Sequence, residues 1–178
     1  MARVLIVCSS TDGQTRKICE RLRAVLHDAN HAVSLAMIED KPAAPDDHAL
    51  VVVGARIRYG RTDPRVIAYA NRHADALNAM PSAYFSVNIV ARKPGKDLPT
   101  TNPYVCKFLR SVAWRPRLVE VFAGRLDYPR YGACDRLIVR FIMWLTNGPT
   151  APDSVVEYTD WRRVDAFGAR LTRVAAKG

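Results

Sequence analysis

An α/β sandwich of three layers, with helices on both faces of a five-stranded parallel sheet, is the fold class that the sequence predicts. Short apolar runs alternate along the chain with stretches whose apolar residues recur at helical spacing, as successive strand–helix units do. The run "ALVVVGA" (49–55) is apolar without alternation, which suits a parallel strand covered on both faces. Right-handed crossovers and short connections leave few strand orders, and 2-1-3-4-5 is the natural one for this pattern.

The elements follow in order. Residues 2–8 read as a buried strand. Residues 14–27 read as a helix, with Ile18, Leu22, Val25 and Leu26 on one face. "HAVSLAMI" (31–38) alternates like a second strand, and "KPAAPDD" (41–47) breaks the chain. After the third strand, Pro64 suits the first turn of a helix reaching about Leu77, with Asp63 as its cap. "SAYFSVNIVA" (82–91) is the fourth strand. A loop rich in proline and lysine leads to a short helix at 103–111 and then to the strand "LVEVFAG" (118–124). Residues 126–149 interrupt the pattern, and "SVVEY" (154–158) is expected to resume the last strand. The closing helix spans 159–177, capped by Thr159 or Asp160, with Trp161, Val164, Phe167 and Leu171 along one side. With no internal repeat and no long linker, residues 1–178 are expected to form one domain carrying a basic and apolar insertion at about 127–149.

Composition narrows the class. A hydrophobic fraction of 49% argues against disorder, and 178 residues suffice for an adequate core. The formal charge of +10 draws the chain towards polyanions, acidic small molecules or anionic lipid. Cys8, Cys19, Cys106 and Cys134 are scattered without a C-x-x-C pair, which points to a reducing compartment. The four histidines, His27, His31, His48 and His73, form no ligand pattern, so no metal is expected. The first apolar run is too short for a signal-peptide core, and no stretch approaches the ~20 residues of a spanning helix. A cytoplasmic protein, or one lying on a membrane surface, is the expectation.

In this strand order a ligand sits where the first and third strands end, so the loops there should be unusual. After the first strand comes "SSTDGQT" (9–15). Ser9, Ser10, Thr11, Gly13 and Thr15 offer hydroxyls and close backbone approach, and the following helix offers its positive end. The alternatives here are a phosphate cradle and an ordinary helix-capping turn. Asp12 would repel a phosphate if it faced inwards. It is expected to turn away and cap the helix through the N–H of Gln14 or Thr15, while backbone amides and the hydroxyls of Ser10 and Thr15 meet the ligand. After the third strand comes "ARIRYGR" (55–61), where Tyr59 beside Gly60 can lie against a flat ring and Arg56, Arg58 and Arg61 suit carboxylates.

At these residues the chain resembles the flavodoxin-like superfamily, whose first loop binds the phosphate of FMN. The segments "DGQTR" (12–16), "GARIRYG" (54–60), "MPSAYFSVNIVARKPGK" (80–96), "WRP" (114–116), "YPRY" (128–131) and "YTDW" (158–161) are similar to the quinone-dependent protoporphyrinogen IX oxidases of flavodoxin-like type, over roughly residues 3–175. The first loop departs from that family at Thr11, where a basic residue is expected. The resemblance implies a flavodoxin-like three-layer sandwich with an insertion interrupting the last strand. It implies FMN as cofactor, protoporphyrinogen IX as substrate in haem biosynthesis, and menaquinone or ubiquinone as electron acceptor. The cofactor-binding residues would be Ser10, Thr11, Asp12, Gly13, Gln14 and Thr15 at the phosphate, Arg58, Tyr59 and Gly60 beside the isoalloxazine, and Ser86, Val87 and Asn88 at its pyrimidine side. Arg58, Arg61, Arg92, Lys93, Arg125 and Arg130 are candidates to meet the substrate's propionates. No catalytic residue is named, because no histidine or carboxylate holds an obvious catalytic position.

The insertion contains "DYPRYGACDRLIVRFIMWL" (127–145). As a helix from about Ala133 it would place Arg136 with Arg140, and Leu137, Phe141, Trp144 and Leu145 on another side, with Ile138, Val139, Ile142 and Met143 leaving little else polar. Such a helix either lies in a membrane interface, which would put the protein at the cytoplasmic face of the inner membrane, or packs on the domain or on a second copy of the chain. Three other functions remain open at this level: an NAD(P)H:quinone oxidoreductase of similar fold, an electron-carrier flavodoxin, and a nucleic-acid binder. Carriers are usually acidic, and no reading helix or aromatic sheet motif supports nucleic acid, so neither of the last two is expected.

Overall fold

The structure, a computed structural model, describes residues 1–42, 44–145 and 148–177; the side chains of Asp135 and Leu145 lie outside what it describes. The chain runs through β1 (Arg3–Cys8), α1 (Gln14–Asp28), β2 (Ala32–Met37), β3 (Leu50–Arg58), β4 (Arg61–Thr62), α2 (Pro64–Arg72), α3 (Ala74–Ala79), β5 (Ser82–Asn88), α4 (Pro103–Ser111), β6 (Leu118–Ala123), β7 (Arg125–Asp127), α5 (Ala133–Leu145), β8 (Val155–Glu157) and α6 (Trp161–Ala175).

Five strands pair in parallel in the order β2-β1-β3-β5-β6, which is the predicted 2-1-3-4-5. Successive side chains of β3 point to opposite faces, and both faces are apolar. Val51 and Val53 join the core under α2, α3 and α4, where Tyr84, Phe108 and Trp114 are fully buried. Leu50 and Val52 join the core under α1 and α6, with Ile18, Leu22, Phe85, Phe122 and Phe167. The two hydrophobic layers account for the unbroken apolar reading of this strand.

Several caps are as expected. Asp63 accepts from the Arg65 N–H at 3.0 Å, and Asp160 accepts from Arg162 N at 2.9 Å. Thr159, the other candidate cap, instead donates its hydroxyl to Ala123 O at 2.7 Å and accepts from Gln14 Nε2 at 2.9 Å.

Other boundaries differ, for local reasons. The third strand runs three residues past Ala55, because the chain doubles back at Tyr59 and Gly60 and pairs Arg58 with Arg61 in an antiparallel hairpin. The fourth strand stops at Asn88, not Ala91: its carboxamide accepts from Ala91 N at 3.0 Å and winds residues Ile89–Arg92 into a 3-10 turn. The helix expected to reach Leu77 is divided at His73 into α2 and α3. Residues 154–158 do not resume the last strand of the main sheet. Val155–Glu157 instead pairs antiparallel with Arg125–Asp127, so the inserted residues leave as a separate arm with α5 at its end. A small third cluster, Leu126, Tyr128 and Met143 with Ile89, Tyr131, Val139, Val156 and Tyr158, fastens the arm to the sheet's edge.

Candidate functional site

One cleft opens along the C-terminal ends of β1, β3, β5 and β6. The first loop forms one end of it. Gly13 precedes α1 at φ 86°, in the left-handed region that favours glycine, and no side chain caps the helix. The N–H groups of the first helical turn have no intrahelical acceptor, so those of Gln14 and Thr15 are left for a ligand at the helix's positive end. Ser10, Thr11, Asp12, Gln14 and Thr15 line the cleft. The carboxylate of Asp12 is exposed and caps nothing, contrary to the expectation; Gly13 occupies the capping position, and Asp12 lies one residue too early to reach the first turn. Ser10 Oγ accepts from Arg16 N at 3.4 Å, while the Arg16 side chain pairs with Glu20 at 3.0 Å.

The first and third loops are tied to each other. Ser9 N donates to Gly54 O at 2.9 Å, and Ser9 Oγ accepts from Arg56 N at 3.2 Å. Beyond this tie, Tyr59 (φ 49°) and Gly60 (φ 70°) make the two-residue hairpin turn, both at positive φ as a primed turn requires. Tyr59 is a bulky residue in that region, which costs roughly 1–3 kcal/mol of backbone strain. The residue is 48% exposed, and the Arg58 guanidinium stands 5.3 Å from its ring centroid. An exposed aromatic held in a costly conformation at the lip of a cleft is placed to face a flat ligand.

From β5, Val87 and Asn88 line the floor. Asn88 and Asn102 exchange amide hydrogen bonds at 3.3 and 3.4 Å, and Asn102 caps α4 through Tyr104 N at 3.2 Å. This pairing carries Tyr104 into the cleft beside Gly60. Ser86 is fully buried behind Asn88 and accepts from its Nδ2 at 3.2 Å, so it braces the floor and does not line it.

The basic candidates separate. Arg58 and Arg125 line the cleft, together with Arg56. Arg61 is exposed on the outer side of the hairpin, and Arg130 is exposed with its Nη1 3.5 Å from Asp12 O. Arg92 and Lys93, also candidates for the propionates, do not join this cleft. They instead line a second cavity with Tyr158, Asp160 and Arg163, because the 3-10 turn after β5 places Ile89 and Val90 on the cleft side and residues 92 and 93 on the other. Tyr104, Leu126, Tyr131, Val139, Ile142 and Met143 also line the cleft, although they were not read as site residues. Only Tyr131 carried a signal, through the "YPRY" segment. Burial pushes its phenol above the ordinary tyrosine range.

A family model described as Flavodoxin domain matches residues 5–153. The chain belongs to the flavodoxin-domain family. This flavodoxin domain is 40% identical over 177 residues to a protein of Escherichia coli (strain K12) named "Protoporphyrinogen IX dehydrogenase [quinone]", covering 98% of this chain and 97% of that one. A protein of Leishmania major with the same name is 41% identical over 94% of this chain and 73% of its own. Among solved structures, oxidised flavodoxin 1 from Bacillus cereus superposes with a TM-score of 0.57 at 13% identity, covering 96% of this chain and 97% of that one, a likeness of fold alone. The cleft's donor set fits a flavin: uncapped helix N–H groups and hydroxyls at the β1 end suit a phosphate, and the strained aromatic turn suits a planar ring.

Proposed function

We propose that the chain is an FMN-dependent protoporphyrinogen IX dehydrogenase that delivers electrons to menaquinone or ubiquinone at a membrane surface. The observation that carries this reading is the 40% identity over 98% of the chain to the protein so named, a span that takes in the inserted arm as well as the sandwich. In this reading Ser10, Thr11 and the N–H groups of Gln14 and Thr15 hold the phosphate. Arg58, Tyr59 and Gly60 border the ring, and Val87 and Asn88 lie at its pyrimidine side. Bound there, FMN supplies the two-electron acceptor, and the protein's part is to hold and orient it. Among the described residues lining the cleft, Asp12 is the sole carboxylate and there is no histidine. The Asp12 residue is exposed, burial together with the Asp12 charge raises the Tyr131 phenol, and no side chain is assigned as general base.

Anaerobic mixing of the FMN-loaded protein with protoporphyrinogen IX should abolish the oxidised flavin absorbance, and added quinone should restore it. NADPH should leave the absorbance unchanged. Bleaching by NADPH alone would instead assign an NAD(P)H:quinone oxidoreductase.

A lipid-soluble acceptor supports a position at the membrane surface, and α5 supports it as well. Leu137 (67% exposed), Phe141 (60%) and Trp144 (66%) form an outward apolar stripe at helical spacing; Leu145, expected beside them, lies outside the described side chains. No helix among the described residues is long and apolar enough to cross a membrane, so α5 would lie in the interface, at the cytoplasmic face in this reading. Arg136 and Arg140 are half-buried and not free to reach headgroups. They donate to Tyr131 O at 3.3 Å and Thr150 O at 2.8 Å, which stiffens the arm. Full burial of one such apolar side chain is worth about 1.5–3 kcal/mol. The double variant Phe141→Asp, Trp144→Asp should therefore sediment with anionic vesicles at least about tenfold less than wild type. Unchanged sedimentation would remove the membrane role.

A further inference from the structure

The first loop is short of positive charge. Among its residues 9–15 the charged side chain is the carboxylate of Asp12. Arg16, next along the chain, is turned to Glu20 at 3.0 Å. Helix N–H groups and hydroxyls can hydrogen-bond a phosphate there, but a phosphate monoester brings roughly −1.5 to −2 charges at neutral pH.

The third strand carries a cation to the same place. Among the described residues three arginines line the cleft, and each is held differently. Arg58 lies over the Tyr59 ring at the hairpin turn, and Arg125 pairs with Asp127 at 2.9 Å. Arg56 is tied to the first loop: its main-chain N–H donates to Ser9 Oγ at 3.2 Å, while Ser9 N donates to Gly54 O at 2.9 Å. The hairpin register that pairs Ile57 with Thr62 places residue 63 opposite residue 56. Asp63 accordingly meets Arg56 Nη2 at 3.2 Å, the longest of its contacts, while Arg65 supplies three at 2.7 to 3.0 Å. Asp63 thus steadies one end of the Arg56 guanidinium and spends most of its own capacity on Arg65. The Nε of Arg56 is buried and has no hydrogen-bond partner among the described atoms. A buried, charged N–H calls for an acceptor, and the guanidinium fork matches phosphate oxygens.

We propose that Arg56 reads the phosphate of the cofactor: it is the cation by which the cleft selects a flavin bearing a phosphate over the same flavin without one. This inference rests on the FMN-dependent reading above and deepens it. Ser10, Thr11 and the helix N–H groups supply hydrogen bonds, whereas Arg56 supplies the charge that the first loop lacks.

The test titrates the full-length protein, stripped of flavin, with FMN and with riboflavin, which has the same ring and ribityl chain and no phosphate. Quenching of flavin fluorescence gives each dissociation constant. Arg56→Gln should weaken FMN binding about tenfold and riboflavin binding by less than about twofold. The double variant Thr11→Arg, Arg56→Gln returns a cation to the same cleft from the first loop, and should recover FMN affinity to within about threefold of wild type. Equal weakening of the two flavins overturns the proposal, because Arg56 would then only hold the loop in shape. FMN affinity at the wild-type value overturns it as well, and so does a double variant that binds FMN no better than Arg56→Gln. If Arg56→Gln fails to fold, Arg56→Lys decides by the same comparison: it keeps a charge beside Asp63 but loses the forked donor edge, and should weaken FMN about threefold with riboflavin unchanged. A wild type that binds neither flavin overturns the shared functional reading, an outcome visible before any variant is made.

Discussion

Asp63→Ala should lose about 4 kcal/mol of folding stability and lower the thermal midpoint by roughly 10 °C. The side chain of Asp63 is 1% exposed, and its carboxylate collects four donors: Arg65 N at 3.0 Å, Arg65 Nε at 3.0 Å, Arg65 Nη2 at 2.7 Å and Arg56 Nη2 at 3.2 Å. Alanine removes the cap of α2, worth ~1 kcal/mol. It also leaves Arg56, whose side chain is 22% exposed, without its counter-charge, and breaking a buried pair costs roughly 3–5 kcal/mol. Arg65 is 47% exposed and contributes less, since water replaces its partner. The Arg65 hydrogen bond holds the Asp63 carboxyl below the usual carboxylate range, with help from the Arg56 charge. A depressed folded-state value means that the stabilisation is complete above the unfolded carboxyl pKa of about 4 and is lost as pH falls through the lower folded value. Denaturant midpoints of wild type and variant should therefore differ by a constant amount from neutral pH down to about 5 and converge in stronger acid. A gap that persists undiminished into strong acid would show that the carboxylate's charge is not the source.

Gly54→Ala should cost about 2–3 kcal/mol and weaken flavin binding together with stability. A Cβ at this position of β3 would overlap Phe85 Cζ and stand 2.7 Å from Phe85 Cε1. The Phe85 ring is fully buried, with the ring centroids of Phe122 at 5.6 Å and Phe167 at 6.2 Å, so it has little room to yield. The sheet must shift instead, and Gly54 O is the acceptor for Ser9 N at the root of the first loop. A fall of roughly 5–10 °C in the thermal midpoint, accompanied by a higher FMN dissociation constant, is the expected pair of results. A variant with the wild-type midpoint would mean that the close ring contact is not maintained in solution.

The sheet order and its apolar filling were legible because both follow from local pattern: uninterrupted apolar runs, helical spacing, and Pro64 behind Asp63. What escaped depends on contacts between distant residues. The extension of β3 to Arg58 needs β4 to pair with it. The early end of β5 needs the Asn88 carboxamide to capture Ala91 N. Asp12 has the chemistry of a cap, but a left-handed Gly13 takes the position, and residue type alone does not report φ. The first loop and the Tyr59 turn were readable as parts of the cleft because the switch-point rule assigns them. Tyr104 was not, since it reaches the cleft through a pair of asparagines fourteen residues apart. The inner face of α5 was hidden for another reason: an apolar helix with two apolar sides gives no indication in sequence of which side meets the sheet.

The hydroxyl of Thr159 receives the Gln14 amide and gives its own proton to the carbonyl of Ala123, so the opening turn of the first helix is fastened by a residue 145 positions later in the chain. Nascent chain emerging N-terminal end first therefore has strands and turns long before the first loop of the cleft is secured. Cofactor loading is therefore expected to await synthesis through residue 159, and a fragment ending before it would carry the loop's chemistry without its clasp.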